Sequence, residues 1–327
     1  MKILVIRLSS IGDIVLTTPV IRCIRKKLPL SEIHFLTKKP FGPIIENNPY
    51  INKIYYLKKS IGLLIEELKK ENYDIIIDLH NNLRTLRIKK GLEPIQSYSY
   101  NKLNIQKWLL TNFRIDVMPH VHIVERYLDT VKKIGVINDG LGLDYFLSES
   151  DKVKETDIPA SHMHGYIGVV IGAAHDTKKL PLDKLIEMCG RIRHPIILMG
   201  GKEDELIATE IVNTDPVKIY SACGKFKLNE SADLVRKSKM IISHDTGLMH
   251  IASAFKKHII SIWGNTVTSF GMYPYKTEFE ISEVKKLWCR PCSKIGYKKC
   301  PLGHFKCMRN ISIDQIVENT HSYLGIS

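Results

Sequence analysis

The sequence predicts an α/β protein made of two doubly wound domains in tandem. Short apolar runs rich in branched residues alternate with amphipathic stretches of helical spacing, which is typical of parallel strands joined by crossover helices. The alternation stops at a polar segment, residues 148–165, and then starts again. A chain of 327 residues is long enough for two domains of ordinary size. We therefore expect a first domain at residues 1–158 and a second at residues 159–327.

The first half of the chain supplies three apolar runs and three stretches of helical spacing. The predicted strands are Lys2–Leu8, Ile33–Leu36 and Asp74–Leu79. The stretch from Ile14 to Leu28 predicts one helix, bent at Pro19 because an interior proline removes a backbone hydrogen bond. Further helices are predicted at Ile61–Glu71 and Val121–Ile134. Residues 91–120 are aromatic-rich and show little periodicity.

The second half repeats the alternation more regularly. Its predicted strands are Tyr166–Gly172, Pro195–Gly200, Val217–Ser221, Met240–Ser243 and His258–Gly264. Its predicted helices are Leu182–Arg191, Glu203–Ile211, Ser231–Lys237 and Thr246–Phe255. In doubly wound sheets ligands bind beyond the carboxyl ends of the strands, so the residues that follow each strand are the candidates for function.

Composition excludes several classes of protein. Hydrophobic residues make up 44% and charged residues 25% of the chain, which excludes a disordered or low-complexity protein. No apolar run approaches the ~18 residues of a membrane-spanning helix. The opening segment carries Arg7 and Asp13 and lacks a cleavage site of small residues, so a cytoplasmic location is expected. The net charge of +14 is spread over both halves and suits anionic partners.

Four of the seven cysteines lie close together near the end of the chain, at Cys289, Cys292, Cys300 and Cys307. A CxxC pair followed by two further thiols is compatible with a tetrahedral zinc site. The second pair is spaced more widely than in the usual zinc motif. A disulfide is disfavoured in a cytoplasmic protein. We therefore expect reduced, buried thiols and no metal, with structural zinc as the alternative.

The first candidate site is Arg7 with SSIGD, Ser9–Asp13, at the end of the first predicted strand. Small residues and a glycine at a strand-to-helix junction form a cradle for phosphate or sugar. The segment has neither GxGxxG nor GxxxxGK[ST], which argues against a dinucleotide site and a P-loop. Asp13 at the opening of the helix is either functional or simply favoured there by the helix dipole.

Three further candidates follow strands of the second half. GAAHDTKKLP (Gly172–Pro181) places two lysines where they could clamp a diphosphate. GGKEDE (Gly200–Glu205) offers acids that could accept hydrogen bonds from ribose. SHDTGLMH (Ser243–His250) begins a helix whose first backbone N–H groups would face an anion. Solvated lysines and an aspartate that caps a helix are the structural alternatives.

Four motifs in combination resemble glycosyltransferase family 9, the ADP-heptose lipopolysaccharide heptosyltransferases. They are RLSSIGDIVLTTPVIRCIRKKLP near the start, GAAHDTKKLP and SHDTGLMHIASAF in the second half, and CRPCSKIGYKKCPLGHFKCM near the end. The resemblance implies the GT-B fold, in which two Rossmann-like domains face a central cleft. The N-terminal domain would bind the acceptor and the C-terminal domain the nucleotide sugar. The resemblance also implies single-step inversion at the anomeric carbon, without a divalent metal or a cofactor.

The resemblance also assigns roles to residues where the motifs match. It implies that Asp13 is the general base. The donor would be bound by Lys178, Glu203, Asp204, Asp245, Thr246, Gly247 and His250. The acceptor would be contacted by Ser10, Gly12, Asn81 and Arg84, the last two in DLHNNLR.

The partners implied by the resemblance are an ADP-heptose donor and a lipid-linked, anionic acceptor of the lipopolysaccharide inner core. Peripheral contact with the cytoplasmic face of the inner membrane would follow. The first alternative is transfer of another sugar to another cell-surface glycan. An NAD-dependent oxidoreductase is disfavoured because GxGxxG and a YxxxK pair are missing. A nucleic-acid-binding protein would use Lys285–Arg309, which has eight basic and no acidic residues. The α/β body would then have no role, so we expect no nucleic acid partner.

Overall fold

The computed structural model describes residues 1–326, which form two compact α/β units. Unit 1 consists of Met1–Leu103 and Val121–Ser148. Unit 2 consists of Asn104–His120 together with the chain from Glu149 onward. The change of unit at Ser148 thus falls at the start of the polar segment in which the sequence analysis places the boundary.

Two short stretches that the sequence analysis assigns to the first domain are part of unit 2, and hydrogen bonds explain why. The amide of Val153 donates to Oδ2 of Asp233 at 2.9 Å, and Nζ of Lys237 donates to the carbonyl of Val153 at 2.6 Å. In the stretch 104–120, Arg114 donates to the carbonyl of Trp288 at 3.1 Å. These contacts join residues far apart in the chain, so local sequence does not reveal them.

Unit 1 is built on a five-stranded parallel sheet. Its strands are β1 (Lys2–Ile6), β2 (Glu32–Thr37), β3 (Lys53–Tyr56), β4 (Ile75–Asp78) and β5 (Gln96–Ser99). The order across the sheet is β3-β2-β1-β4-β5, which is the order of a Rossmann-like doubly wound sheet. Because the order reverses between β1 and β4, the carboxyl ends of these strands flank the crevice where such sheets bind ligands.

The helices of unit 1 follow the predicted periodicity with one exception, the helix at Leu83–Gly91, which the sequence analysis missed. They are α1 (Ile11–Val15), α2 (Thr18–Lys27), α3 (Ile61–Lys69), α4 (Leu83–Gly91) and, after a helix of unit 2, α6 (Ile123–Leu128). The prediction of one helix bent at Pro19 is wrong, because two separate helices occupy that stretch. Pro19 lies in the first turn of α2, where the missing N–H has no intrahelical partner to lose.

Unit 2 is built on a six-stranded parallel sheet. Its strands are β6 (Ile167–Val170), β7 (Ile196–Met199), β8 (Ile219–Ser221), β9 (Met240–His244), β10 (His258–Trp263) and β11 (Phe279–Glu283). The order across the sheet is β11-β10-β9-β6-β7-β8. Taken from β8, this is the Rossmann order 3-2-1-4-5-6, with its reversal between β6 and β9. The predicted pair of doubly wound α/β folds is confirmed.

The helices of unit 2 are α5 (Asn104–Phe113), α7 (Leu182–Arg191), α8 (Glu205–Val212), α9 (Leu228–Lys237), α10 (Gly247–Ala254), α11 (Lys306–Arg309) and α12 (Ile313–Leu324). The predicted bounds of α7 are confirmed at both ends, and the sequence analysis missed α5, α11 and α12. Within residues 1–326, none of the helices has the length and apolar composition needed to cross a bilayer.

Candidate active site

Most of the candidate residues lie where the strand order of each sheet reverses, whereas Glu203 and Asp204 follow β7. In unit 1, Asp13 follows β1, and Asn81 follows β4. In unit 2, Lys178 follows β6, and Asp245 follows β9. Since parallel neighbouring strands end at the same edge of a sheet, each pair of loops is brought together although the chain between them is long. Each unit therefore has polar side chains at the position where doubly wound sheets bind ligands.

Arg7 is the buried centre of the unit 1 site. Its guanidinium lies 2.7 Å from Oδ1 of Asp13, and Arg7 is only 6% exposed. Its Nε donates to the carbonyl of Ser9 at 2.8 Å, and its Nη1 donates to the carbonyl of Leu79. The guanidinium also lies 5.7 Å from the ring centre of Tyr127. The end of β1, the end of β4 and helix α6 therefore all hold this one cation.

Asp13 both caps α1 and forms an ion pair. Its Oδ2 accepts hydrogen bonds from the backbone N–H and the hydroxyl of Ser10, at 3.1 and 2.8 Å. Its other oxygen pairs with Arg7. The side chain keeps 20% of its surface exposed. The buried residue before it in the chain is Gly12. The sequence left two interpretations of Asp13 open, a helix cap and a charged site residue, and both describe this carboxylate.

The pKa of Asp13 is lowered in this environment. Burial alone would raise it, but the charge of Arg7 and the hydrogen bonds from Ser10 outweigh burial. Nearby, the pKa of His80 is lowered to about 4, first by burial and then by the charges of Arg7 and Lys102. At neutral pH the site therefore holds an ionised Asp13 and a neutral His80. The sequence analysis missed His80, although its place directly after β4 in DLHNNLR could have indicated it.

The remaining acceptor-side candidates differ in what their side chains do. Asn81 has a left-handed backbone, with φ of +48°, and its side-chain amide donates to the carbonyl of Tyr100 at 3.0 Å. Asn82 caps α4 by accepting the N–H groups of Arg84 and Thr85, each at 3.0 Å. Arg84 is exposed in the first turn of α4. The amide of Asn81 thus supports the loop, whereas the guanidinium of Arg84 is open to solvent.

In unit 2, Lys178 and Asp245 form a close ion pair. The distance from Nζ to Oδ2 is 2.5 Å, and Nζ also lies 3.3 Å from the carbonyl oxygen of Asp245. The hydroxyl of Thr266 donates to the same carboxylate oxygen at 3.1 Å. The side chains of Lys178 and Asp245 are only 15% and 11% exposed. Lys178 is therefore not the solvated loop lysine of the structural alternative.

Lys179 pairs instead with a buried carboxylate. Its Nζ lies 3.0 Å from Oδ1 of Asp204, which is 1% exposed. Oδ2 of Asp204 accepts the N–H of Gly201 at 3.0 Å. A Cβ atom at Gly172 or Gly200 would lie 2.3 or 2.8 Å from that oxygen, so these strand ends need glycine to admit the carboxylate. Asp204 thus holds the loops after β6 and β7 together.

The other donor-side candidates surround the start of α10 or lie on the loop after β7. Glu203 is exposed, whereas the next residue, Asp204, is buried. Thr246 is the N-cap of α10, and its hydroxyl lies 3.3 Å from that of Ser243. Gly247 is the first residue of the helix, and His250 lies in its second turn at 2% exposure. The first N–H groups of α10 are therefore available to an anion at the strand-order reversal.

His244, at the end of β9, is a residue that the sequence analysis missed. Its Nε2 accepts the backbone N–H of Leu180 at 2.9 Å, which fixes the loop that carries both lysines. Burial, and then the charge of Lys179, lower the pKa of His244 to about 4. The neutral ring is the form that can accept this hydrogen bond. No sequence pattern shows that a histidine is buried.

We expect the protein to lose stability as the pH falls from 6.5 towards 4. Below pH 6.5 the unfolded chain takes up a proton at His244 that the folded protein takes up only near pH 4. His244 alone is expected to contribute a loss on the order of 2 kcal/mol at about pH 5, and His80, whose pKa is lowered similarly, should add to the measured difference. Urea unfolding at about pH 7.5 and about pH 5 measures it. His244→Gln keeps an acceptor without the titration and should reduce the difference; an unchanged difference would contradict this origin.

The cysteine-rich segment, residues 285–309, is attached to the loop after β6 and to the loop after β10. The carbonyl of Tyr297 accepts the N–H and the hydroxyl of Thr177, at 3.1 and 3.0 Å, and the N–H of Tyr297 donates to the same hydroxyl at 2.8 Å. Arg290 donates to the carbonyl of Thr266 at 2.9 and 3.1 Å. Thr177 precedes Lys178, and Thr266 contacts Asp245, so the segment fixes residues next to the lysine–aspartate pair.

The four clustered cysteines have free thiols. Sγ of Cys289 lies 3.7 Å from Nε2 of His304, and the thiol of Cys292 donates to the carbonyl of Cys289 at 3.0 Å. Burial raises the pKa of Cys292 to about 11 and that of Cys307 to about 12. Thiols with such pKa values are protonated at neutral pH. Zinc binding would require Cys292 and Cys307 to lose these protons.

One cluster of potential metal ligands lies far from these thiols in the chain. Within residues 1–326, the set whose ligand atoms all lie within 4.8 Å of one another is Glu32, His34 and Glu71. Lys2 contacts both carboxylates, at 3.2 and 2.7 Å, and Lys53 contacts Glu71 at 2.6 Å. The lysines thus already neutralise these carboxylates, which explains the cluster without a cation.

Comparison with known proteins agrees with the fold and the motifs. The family model of glycosyltransferase family 9 (heptosyltransferase) matches residues 61–303. Lipopolysaccharide heptosyltransferase 1 of Campylobacter coli is 26% identical over 295 residues, which cover 81% of this chain and 84% of that protein.

Two solved structures have the same fold. A family 9 glycosyltransferase of Veillonella parvula matches with a TM-score of 0.78 at 23% identity, covering 100% of this chain and 97% of that one. The ADP-heptose lipopolysaccharide heptosyltransferase II of Escherichia coli matches with a TM-score of 0.77 at 18% identity, covering 99% and 98%. The family match includes every donor-side candidate and begins after Asp13. On the strength of a match that spans well over half of its length, the chain belongs to glycosyltransferase family 9.

Proposed function

We propose that this protein transfers heptose from ADP-heptose to an anionic, lipid-linked acceptor of the lipopolysaccharide inner core, by a single inverting displacement. The observation that carries the proposal is the pair of polar sites at the strand-order reversals. Unit 1 supplies an ionised carboxylate, and unit 2 supplies lysines and a helix N-terminus. The names of the family and of its lipopolysaccharide-modifying relatives support heptose as the sugar.

The proposed base is Asp13. In the displacement, the acceptor oxygen bonds to the anomeric carbon while the bond from that carbon to the diphosphate oxygen breaks, and the hydroxyl proton passes to a carboxylate oxygen of Asp13. The lowered pKa keeps this group ionised and able to accept a proton at neutral pH. Such a weak base is effective when the proton moves late, after positive charge has developed on the sugar. Arg7 fixes the carboxylate in position.

The proposed leaving group is ADP, whose diphosphate gains negative charge as the bond breaks. Lys178, together with the first N–H groups of α10, would stabilise that charge without a divalent metal. Nζ of Lys178 is already held by Asp245 at 2.5 Å, so the cation is oriented before the donor binds. Glu203 is the exposed acid suited to ribose hydroxyls, whereas Asp204 orients Lys179.

A panel of donors and acceptors tests the proposal. We expect transfer from ADP-heptose to a lipid A-linked inner-core acceptor, with inversion at the anomeric carbon determined by NMR of the product. Transfer only from a UDP- or GDP-linked sugar would establish the alternative of a different glycan. The absence of transfer from any nucleotide sugar, in protein that binds ADP, would contradict the proposal.

Replacing Lys178 should weaken binding of the donor. Lys178→Ala removes a charge-assisted contact to the diphosphate and should raise the Kd of ADP by about 10- to 150-fold, the equivalent of 1.5–3 kcal/mol. Calorimetric titration with ADP measures this change. Lys184→Ala is the control, because Lys184 lies on α7 and pairs with Glu187 on the same helix at 2.9 Å. An equal Kd for the two variants would remove Lys178 from the proposed site.

A further inference from the structure

A second surface of unit 2 carries large apolar side chains that are open to solvent. On α5, Ile105, Trp108 and Phe113 are 71%, 49% and 58% exposed. In the cysteine-rich segment, Trp288 and Ile295 are 74% and 63% exposed. Isolated exposed apolar residues are common, but five in two short stretches, two of them tryptophan, indicate an interaction surface.

Direct contacts bring these two stretches together. Arg114, directly after α5, donates to the carbonyls of Trp288 and Cys289, at 3.1 and 3.2 Å. From the other side, Nζ of Lys294 donates to the carbonyl of Asn104 at 3.4 Å. We call the surface formed by residues 104–115 and 285–309 the apolar–basic patch.

The charge of the apolar–basic patch is strongly positive. Lys285–Arg309 contains eight basic and no acidic residues. All but one of the eight are exposed; Arg290 is held by Glu283 at 2.6 Å. The positive charges therefore face solvent beside the apolar side chains instead of being neutralised by carboxylates of the segment.

We infer that the apolar–basic patch docks this protein onto an anionic lipid surface. Tryptophan and lysine side chains suit the interface between lipid headgroups and acyl chains, since the indole lies at the boundary and the ammonium contacts phosphate. Nucleic acid would match the charge, but stacking on bases has no use for exposed Ile105 and Ile295. The inference deepens the proposed function, because a lipid-linked acceptor is presented at such a surface.

Vesicle binding tests the inference without donor or acceptor. We expect the intact protein to sediment with vesicles of phosphatidylcholine containing roughly 30 mol% phosphatidylglycerol, and to bind pure phosphatidylcholine at least tenfold more weakly. Lys285→Glu with Lys286→Glu should weaken binding by about 25-fold or more, at about fivefold for each lysine lost from the surface. Lys154→Glu with Lys227→Glu, at two exposed lysines elsewhere on unit 2, makes the same change in net charge and is the control.

Tryptophan fluorescence reports the same event independently. Two of the three tryptophans lie in the apolar–basic patch, and the third, Trp263, is fully buried. We expect a blue shift of the wild-type protein when anionic vesicles are added, and about tenfold weaker sedimentation or more for Trp108→Ser with Trp288→Ser. Leu206→Ser is the control for loss of an exposed apolar side chain, since Leu206 lies on α8 at 82% exposure.

The outcomes separate this inference from the proposed function. Equal sedimentation of the patch variants and their controls would overturn docking at this surface. Tight binding of a polyuridylate oligomer with no binding to anionic vesicles would overturn it in favour of nucleic acid. If vesicles do not bind but heptose is still transferred to an acceptor stripped of its acyl chains, the proposed function stands and the docking surface does not. If vesicles bind but no sugar is transferred, the docking surface stands and the proposed function does not.

Discussion

Asp13→Asn is expected to lower turnover by about 100- to 10,000-fold while the affinity for ADP stays within about twofold. The amide retains an acceptor for Ser10 but cannot take the proton of the acceptor hydroxyl. Because Arg7 loses its charged partner in a buried position, we also expect a loss of about 1–3 kcal/mol in the free energy of unfolding. Turnover must therefore be measured per folded molecule, together with ADP titration and urea unfolding.

A matched control separates catalysis from capping. Asp157 lies at the same position in a short helical turn of unit 2, where its Oδ2 accepts the N–H of Lys154 at 3.3 Å. Asp157→Asn should leave turnover unchanged. Near-normal turnover of Asp13→Asn would show that the carboxylate only caps α1. The lowered pKa gives a further check, since wild-type activity should not decline through protonation of Asp13 until the pH is below 3.8.

Arg22→Met is expected to cost about 3–5 kcal/mol of unfolding free energy, because it breaks a buried ion-pair cluster and leaves carboxylates behind. Arg22 is 2% exposed and donates to Asp139 at 2.9 and 2.8 Å and to the carbonyl of Gly142 at 2.8 Å. It also contacts Asp144. Its hydrogen bonds are the main reason that the pKa of Asp139 lies well below its usual range. Urea unfolding at neutral pH measures the loss.

Lys26 provides the control for this cluster. It contacts the same carboxylate of Asp139 at 2.7 Å, but its own side chain is 50% exposed. Lys26→Met should therefore cost no more than about 1 kcal/mol. Similar losses for Lys26→Met and Arg22→Met would show that burial does not set the strength of this cluster.

Sequence reasoning found every inner strand, and the strands that it missed lie at sheet edges, although it also found the edge strand β8. Inner strands such as β4 (IIID) and β7 (IILM) are enclosed on both faces, so their apolar runs are visible in the sequence. The missed strands, β3, β5 and β11, all lie at sheet edges. An edge strand pairs on one side only and tolerates a polar sequence such as QSYS in β5.

The candidate site, like the strands, could be predicted from the sequence only in part. The positions of Asp13, Lys178 and Asp245 at strand ends follow from the motifs, because strand, loop and helix are local patterns. Their partners depend on which strands are neighbours: Lys178 meets Asp245 because β6 lies beside β9. The lowered pKa of His244 depends on burial among residues distant in the chain, which periodicity does not show.

The attachment of Tyr297 to Thr177 limits how this protein can be shortened. Residues 285–305 contain no regular helix or strand and resemble a removable appendage. Three hydrogen bonds between Tyr297 and Thr177 would go with them, and Cys307 and Met308, just beyond, belong to the hydrophobic core of unit 2. A trimmed chain would thus free the lysine-bearing loop, so a shortened protein has to keep this irregular stretch as the support of that loop.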